Sequence, residues 1–247
     1  MTAILLTAAA QFAPAATLAL VMLLGRPMRG IGMIALIAAL YFADALLLNI
    51  RTLAPTLAIP GESWNWEGKI AAALFAVVSL LAMPKSVRAN VGLFATPTRS
   101  AWPRIAVLSV IVCGLALGRT IAFGQAQTFN AETLAFQSTL PGLHEELTFR
   151  GVWWIILAVA LDPGRIAEGK TPWRTLLVMT TLFGAVHAIA FDGGAFSVDW
   201  PFFAATAASG LLYGLLQSAA RAVWIPILIH NLCNVLIYAW QVWGIAR

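Results

Sequence analysis

Long runs of apolar residues, each followed by a short polar segment containing Pro, Gly or basic residues, make up most of this chain. A run of about 20 apolar residues is long enough to cross a bilayer core of about 30 Å as an α-helix. The runs are continuous rather than alternating, which disfavours a transmembrane β-barrel. The pattern therefore predicts an all-α, polytopic membrane protein with about eight transmembrane helices.

The Pro and Gly residues between the runs give approximate helix ends, because neither residue continues a helix well. No internal repeat and no change in composition marks a second domain, so residues 1–247 are predicted to form one transmembrane domain. The third and sixth spans are shorter than the others. The predicted spans are residues 3–25, 31–50, 69–84, 104–124, 143–161, 174–191, 201–220 and 223–245. The polar, amphipathic segment 125–139 is predicted to be an interfacial helix or lid that leads into the fifth span.

The composition supports a multi-pass protein of the cell membrane. Hydrophobic residues make up 61% of the chain and charged residues only 10%, and the mean hydropathy is +0.86, far above that of a soluble domain. The net charge of +5 comes mainly from loop Lys and Arg residues, so we do not expect a nucleic-acid partner. Basic residues concentrate in alternate loops, which predicts that both termini are outside. Cys113 and Cys233 lie inside apolar runs, which argues against a disulfide framework.

A cluster of ionisable side chains leads directly into the fifth apolar run, at His144, Glu145, Glu146 and Arg150. A charged group deep in a bilayer costs about 3 kcal/mol or more, so it is usually retained for a purpose. Glu146 and Arg150 are four residues apart, and a helix therefore allows them to form an ion pair. Glu145 points about 100° away from this pair and has no cation in its register. We therefore interpret Glu146–Arg150 as a structural brace and Glu145 as a free carboxylate.

Two further histidines lie inside distant apolar runs. His187 follows Phe183 by four residues in the sixth span, and His230 precedes Asn234 by four residues in the eighth. Residues four apart share one face of a helix. His144 is expected to cap or line the start of its helix, and Asp44, in the second span, to be a buried hydrogen-bonding residue.

The three motifs together resemble those of a known family. Glu-Glu-x-x-x-Arg at residues 145–150, Phe-x-x-x-His at 183–187 and His-x-x-x-Asn at 230–234 are similar to the signature of the CAAX-processing and bacteriocin-processing intramembrane proteases. This is the Abi (CPBP) group, which includes the eukaryotic Ras-converting endoprotease. The resemblance covers residues 143–235 and implies a protease-like core at about 125–245.

The resemblance also implies a site for hydrolysis of a peptide bond within the membrane. Glu145 would activate a water molecule that His187 positions, and His230 and Asn234 would donate hydrogen bonds to the developing oxyanion. An amide needs such an activated water and such donors in order to be hydrolysed. The expected substrate is a peptide or a membrane-anchored protein, with a prenylated C-terminus, a bacteriocin-like leader or a membrane-protein tail. The residues expected to support this site are Glu146, Arg150 and Phe183.

Cofactor and function alternatives remain open at this point. We favour no cofactor, but Glu145, His187 and His230 could bind Zn²⁺ with one position left for water. The chain lacks the His-Glu-x-x-His helix of many zinc peptidases. The alternatives to the peptidase are a non-catalytic immunity or accessory protein on the same fold, a zinc-dependent membrane hydrolase, and a transporter that uses Glu145, Glu146 and Asp44 as an ion path.

Overall fold

The computed structural model describes residues 1–24, 29–59 and 61–244. Within them, a helical segment occupies the position of each predicted span, while the predicted ends at residues 25 and 245 lie outside the described part. The α-helices are α1 Thr2–Met22, α2 Arg29–Leu48, α3 Ile50–Leu53, α4 Trp66–Ala82, α5 Lys85–Arg88, α6 Trp102–Phe123, α7 Ala131–Gln137, α8 Leu140–Glu146, α9 Trp153–Leu161, α10 Pro163–Ala167, α11 Trp173–Ala188, α12 Trp200–Ala220 and α13 Trp224–Ala239. Short 3₁₀ turns cover Pro55–Leu57 and Arg99–Ala101, and π-helical turns cover Leu147–Val152 and Trp240–Gly244.

The fold is all-α and polytopic, with a small hairpin as its only sheet among the described residues. In that part of the chain, five helices are long and apolar enough to cross a membrane. Three predicted spans form shorter or interrupted helices, so their passage through the bilayer remains a prediction. Many large apolar side chains face outward, as expected of helices in contact with lipid. The five candidate spans are Thr2–Met22, Gly30–Leu48, Arg99–Phe123, Trp200–Ala220 and Trp224–Gly244.

The helices contact one another in a closed ring. Going around it, α1 packs on α2, α2 on α4, α4 on α8 and α8 on α13. The ring continues from α13 to α6, then to α12, then to α11, and α11 returns to α1. The segment that follows α8 runs through the interior of this ring, where it contacts α2, α4, α11 and α12. The ionisable cluster therefore lies where the chain passes from the ring into its centre.

The interior segment is not the single α-helix predicted for residues 143–161. The structure divides it into α8, the π-helical turn Leu147–Val152 and α9, and every residue of the π-helical turn is buried. A π-helical turn inserts one extra residue and is often found at functional sites. Here it lets Arg150 reach both Glu146 on its own segment and the carbonyl oxygen of Gly210 on α12, at 2.9 Å.

The sixth predicted span, residues 174–191, ends earlier than expected. Helix α11 stops at Ala188, and Ile189–Asp192 pairs antiparallel with Ala195–Val198 as strands β1 and β2. Gly193 and Gly194 connect the strands with φ angles of +57° and +85°, which favour Gly at both positions of a tight hairpin turn. The side-chain amide of Gln11 donates to the carbonyl oxygens of Val186 and Ile189, so α1 fastens the end of α11.

The apolar interior has two parts. The larger core joins α1, α2, α4, α9 and α11, and the smaller one joins α6, α12 and α13. The Gly-x-x-x-Gly sequence of α12 packs inside the molecule, because a Cβ atom at Gly210 would lie 2.9 Å from Phe183 and one at Gly214 would lie 2.3 Å from Leu176. Cys113 and Cys233 are both free, and their sulfur atoms lie 2.8 Å apart in the smaller core.

Candidate active site

Glu145 is not the free carboxylate that its helical register predicts. Lys69, on α4, places its Nζ atom 2.7 Å from Oε1 of Glu145, and both side chains are mostly buried. Register arguments consider only cations on the same helix, whereas this cation comes from 76 residues away. The other oxygen, Oε2, is buried and has no hydrogen-bond partner among the residues that the structure describes. Lys69 therefore orients the carboxylate so that one oxygen is bound and the other is available.

A chain of buried polar contacts continues behind Lys69. Its ammonium also lies 3.2 Å from Nδ1 of His144, and Nε2 of His144 lies 2.9 Å from Oδ1 of Asp44. An ammonium can only donate, so Nδ1 of His144 accepts and Nε2–H donates to Asp44. Asp44 is thus a buried hydrogen-bonding residue, as expected, and His144 links Asp44 to Lys69, a role beyond the expected capping or lining of its helix start. Asp44 and His144 together hold Lys69 on Glu145.

The backbone of α11 fixes the orientation of His187. Nδ1 of His187 lies 2.7 Å from the carbonyl oxygen of Phe183. A carbonyl oxygen only accepts, so Nδ1 carries the proton and Nε2 of the neutral ring is an acceptor. The Phe183 ring packs against that of His187 at 4.6 Å, and Cζ of Arg150 lies 4.5 Å from the centre of the Phe183 ring. Phe183 therefore connects His187 with the buried guanidinium.

Glu146 is shared between Arg150 and His230. Nη1 of Arg150 donates to Oε1 of Glu146 at 3.3 Å, so the ion pair predicted from their spacing is formed. The same oxygen lies 2.7 Å from Nδ1 of His230, and the His230 ring stacks on Tyr213 at 5.0 Å. Neither Glu146 nor Arg150 has measurable exposure to solvent. The brace thus also orients His230, which is more than its sequence spacing predicts.

The two histidines and Glu145 converge on a small gap. Nε2 of His187 lies 3.8 Å from Oε2 of Glu145, and Nε2 of His230 lies 3.9 Å from the same oxygen. These separations are too long for direct hydrogen bonds but suit one water molecule, which sits about 2.8 Å from each partner. Asn234 lies one helical turn after His230 and lines the same cavity as both rings.

Two cavities meet at His187, which lines both of them. The first, of about 460 Å³, is bounded by α1, α2, α4, α8 and α11. We call it the polar cavity, because Asp44, Lys69, His144 and Glu145 are among its lining residues. The second, of about 550 Å³, is bounded by α6, α11, α12 and α13, and most of its lining side chains are small or apolar. We call it the apolar cavity, and both His230 and Asn234 line it.

One side chain of α13 fixes the start of α8 through two hydrogen bonds. Asn231 on α13 accepts from the backbone N–H of Gly142 at 2.8 Å and donates to the carbonyl oxygen of Thr139 at 3.0 Å. A Cβ atom at Gly142 would lie 2.4 Å from the Asn231 oxygen, so this close approach requires glycine. Asn231 therefore determines where α8 enters the ring, and with it the position of Glu145.

A second contact fastens the amphipathic segment that precedes α8. The Glu132 carboxylate, on α7, accepts from the backbone N–H groups of Ser63 and Trp64 at 3.0 Å and from the indole of Trp66 at 3.1 Å. The hydrogen bond from the Trp64 backbone is the largest single contribution that lowers the pKa of Glu132, which falls to about 2. Trp64 also stacks on Phe136 at 4.9 Å. We call this contact between α7 and residues 61–66 the α7 clasp.

The residues at the gap are of types that Zn²⁺ accepts, but their arrangement does not favour the metal. Two histidine Nε2 atoms and a carboxylate are common zinc ligands. The ammonium of Lys69 already contacts the same carboxylate and would repel a divalent cation. Among the described residues, no group of three or more His, Cys, Asp or Glu side chains is arranged to hold a metal ion.

The comparisons with known proteins agree with the three motifs. Residues 127–236 match the model of a family described as type II CAAX prenyl endopeptidase Rce1-like. No curated protein and no solved structure matches the chain. At the level of the family, the match supports a CAAX-type endopeptidase in a membrane context, a peptide hydrolase with a peptide substrate. Residues 127–236, which carry all three motifs, are thus similar to the Rce1-like type II CAAX prenyl endopeptidases.

Proposed function

We propose that this protein is an intramembrane endopeptidase that hydrolyses a peptide bond at the gap between Glu145, His187 and His230. One observation carries the proposal: an unpaired carboxylate oxygen faces two histidine nitrogens at 3.8 Å and 3.9 Å, where one water molecule fits. Hydrogen-bond reach through a single water is the geometry that a general base requires. The two cavities supply access to this gap from either side.

In the proposed reaction, Oε2 of Glu145 takes a proton from the bound water as the water oxygen attacks the carbonyl carbon of the substrate. A tetrahedral intermediate with an oxyanion forms. The bond from carbon to nitrogen then breaks, and Glu145 returns its proton to the departing amine nitrogen. The first products are a carboxylic acid and an amine, and Glu145 is again an anion; the acid then gives its proton to the amine, which leaves a carboxylate and an ammonium.

The histidines have different proposed roles. Because Nδ1–H of His187 donates to the Phe183 carbonyl, its neutral Nε2 atom can accept a hydrogen bond from the attacking water. His230 already donates through Nδ1 to Glu146, so its Nε2 atom can donate to an oxyanion only in the doubly protonated ring. Asn234 supplies amide N–H donors whose state does not depend on pH.

Lys69 is the residue of this proposal that sequence analysis did not predict. By holding Oε1 of Glu145, it leaves Oε2 as the oxygen that faces water. Its ammonium also stabilises Glu145 as an anion, which is the form that can accept a proton. We regard Lys69 as a positioning residue, with His144 and Asp44 holding it in place.

The experiment uses purified protein in proteoliposomes and an internally quenched peptide that ends in prenylated Cys, two aliphatic residues and one further residue. The wild-type protein is expected to cleave this peptide after the Cys. Glu145→Gln, which keeps the shape and removes the base, is expected to lower kcat by about 10²- to 10⁴-fold. Glu168→Gln is the matched control, because Glu168 is an exposed carboxylate that pairs with Lys170 on the surface. Glu168→Gln should melt at the temperature of the wild type, whereas Glu145→Gln should stay folded but melt at a lower temperature, because the mostly buried Lys69 ammonium loses its counter-ion.

Cleavage retained in Glu145→Gln would refute the base assignment. A folded wild-type protein that cleaves neither prenylated nor unprenylated peptides would favour the non-catalytic accessory protein. Metal analysis of the same active preparation separates the zinc hydrolase from the metal-free reaction: stoichiometric zinc that a chelator removes together with activity would contradict the mechanism above.

A further inference from the structure

Arg119 introduces a positive charge at the apolar cavity. It lies on α6 one turn before the helix ends, it is exposed, and its Cζ atom lies 4.8 Å from the centre of the Phe202 ring. Among the residues described as lining this cavity, Arg119 is the one permanently charged side chain, and none is acidic. An aromatic face holds a guanidinium in place without neutralising it. The guanidinium therefore remains available to an anion that enters the cavity.

Arg119 lies within the length of about three extended peptide residues of the His187 ring. The Phe202 ring lies 6.3 Å from the His187 ring. Because 4.8 Å and 6.3 Å laid end to end come to roughly 11 Å, the guanidinium lies no farther than that from the His187 ring. An extended chain rises about 3.3 Å per residue, so three residues span about 10 Å. A peptide cut beside His187 can therefore reach Arg119 with the third residue beyond the cut.

We propose that Arg119 binds the free α-carboxylate of the substrate, three residues beyond the bond that is cleaved. This inference rests on the proposed function and adds a specificity residue to it. A guanidinium matches a carboxylate with two parallel charge-assisted hydrogen bonds. The lining of the apolar cavity includes small apolar side chains such as Ala205 and Ala208, which suit the aliphatic side chains of a peptide. The substrate class is then an apolar peptide that ends at its own C-terminus, rather than an internal leader sequence.

An Arg residue near the end of a membrane helix can instead contact lipid headgroups. That role predicts no difference between peptides that do and do not end in a carboxylate. A comparison of otherwise identical peptides therefore distinguishes the two uses of Arg119.

The experiment measures the binding of two fluorescent peptides, identical except that one ends in a free carboxylate and the other in a carboxamide. Binding is measured with Glu145→Gln protein, so that cleavage does not interfere. The kcat/KM of each peptide is measured with protein that keeps Glu145. We expect about 10- to 100-fold tighter binding of the acid than of the amide, as for a hydrogen bond to a charged group. Adding Arg119→Gln should remove this preference without changing amide binding, and Arg119→Lys should restore part of it.

Arg104→Gln is the matched control, because Arg104 is another exposed Arg on α6 and is not among the residues that line the apolar cavity. It should keep the preference for the acid. Equal binding of the acid and the amide would overturn the inference, as would an Arg119→Gln variant that weakens both equally. If the acid binds more tightly than the amide but protein that keeps Glu145 cleaves neither peptide, the proposed function is overturned and this inference stands.

Discussion

The two cavities that meet at His187 are built from different kinds of residues. On the polar side, Asp44, His144, Lys69 and Glu145 form a continuous series of contacts of 2.7–3.2 Å across three helices. On the apolar side, the lining is mostly Gly, Ala, Leu and Phe, with His230 and Asn234 on one wall. The carboxylate oxygen without a partner lies where these two regions meet.

The difference shows how hydrolysis can be arranged inside a membrane protein. Charged groups are costly in a low-dielectric interior unless each has a partner, and the polar side meets this requirement by linking its charges in series. The apolar side offers a peptide a lining that is mostly small or apolar. We interpret the polar cavity as the side that orients the base and the apolar cavity as the side that holds the peptide.

The largest effect is expected at the residue shared by both cavities. His187→Leu removes the Nε2 acceptor while keeping an apolar side chain on α11, so kcat should fall by about 10²-fold or more with little change in melting temperature. Steady-state cleavage of the quenched peptide measures this. Leu177→Ala is the control, because Leu177 lies on the exposed face of the same helix. A His187→Leu variant with the kcat of the wild type would contradict the proposal that the two cavities act together at His187.

The buried ion pair between Glu146 and Arg150 should contribute strongly to the stability of the protein. Arg150→Met keeps most of the volume but leaves the buried Glu146 carboxylate without its guanidinium, which costs about 3–5 kcal/mol. Denaturation in detergent should show this loss. The double variant Glu146→Gln/Arg150→Met removes the unpaired charge and should recover part of the stability. A single variant as stable as the wild type would mean that the pair does not hold the site together.

A smaller effect is expected at Lys69. Lys69→Met should lower kcat by about 10-fold, and the acidic limb of the pH–rate profile should move to higher pH, because the Glu145 anion loses the ammonium that stabilises it. Lys69→Arg should restore part of both properties. Lys170→Met is the control, since Lys170 is exposed and pairs only with Glu168 on the surface. A lower kcat with an unmoved pH profile would reduce Lys69 to a packing residue.

The smallest effect concerns the α7 clasp, at the edge of the polar region. The pKa of Glu132 is lowered to about 2, so its contribution to stability is present above its ordinary value of 4.5 and is lost as the pH falls through about 2. Hydrogen exchange at the amides of Ser63 and Trp64, corrected for intrinsic rates, should show protection that disappears over this range. Protection in Glu132→Gln should be weaker and independent of pH there. Equal protection at pH 5 and pH 2 in the wild-type protein would contradict this assignment.

The sequence was sufficient to predict the helical segments but not the interruptions within them. Each predicted span contains a helix, because a continuous apolar run in lipid has to satisfy its backbone groups internally. The π-helical turn at Leu147–Val152 has no such signal, since it depends on Arg150 reaching Gly210 on another helix. The hairpin at residues 189–198 carried a signal in Gly193-Gly194, but the apolar run continues past the true helix end at Ala188.

The site could be predicted where its residues lie on one helix. The pairing of Glu146 with Arg150 follows from a four-residue spacing. The contacts of Lys69 with Glu145 and of His144 with Asp44 bridge helices that are 76 and 100 residues apart in sequence. Helical periodicity contains no information on which helices become neighbours, so Glu145 looked unpaired. The family resemblance brought together Glu145, His187, His230 and Asn234, and their catalytic roles remain proposals.

The most direct test of the account is an experimental structure of Glu145→Gln bound to an uncleaved prenylated peptide. The account predicts that the scissile carbonyl carbon lies within about 4 Å of the space between residue 145, His187 and His230, the reach of one water molecule. It also predicts that the peptide beyond that bond occupies the apolar cavity. A peptide bound wholly in the polar cavity, or a scissile bond more than about 10 Å from the His187 ring, roughly three extended residues away, would contradict it.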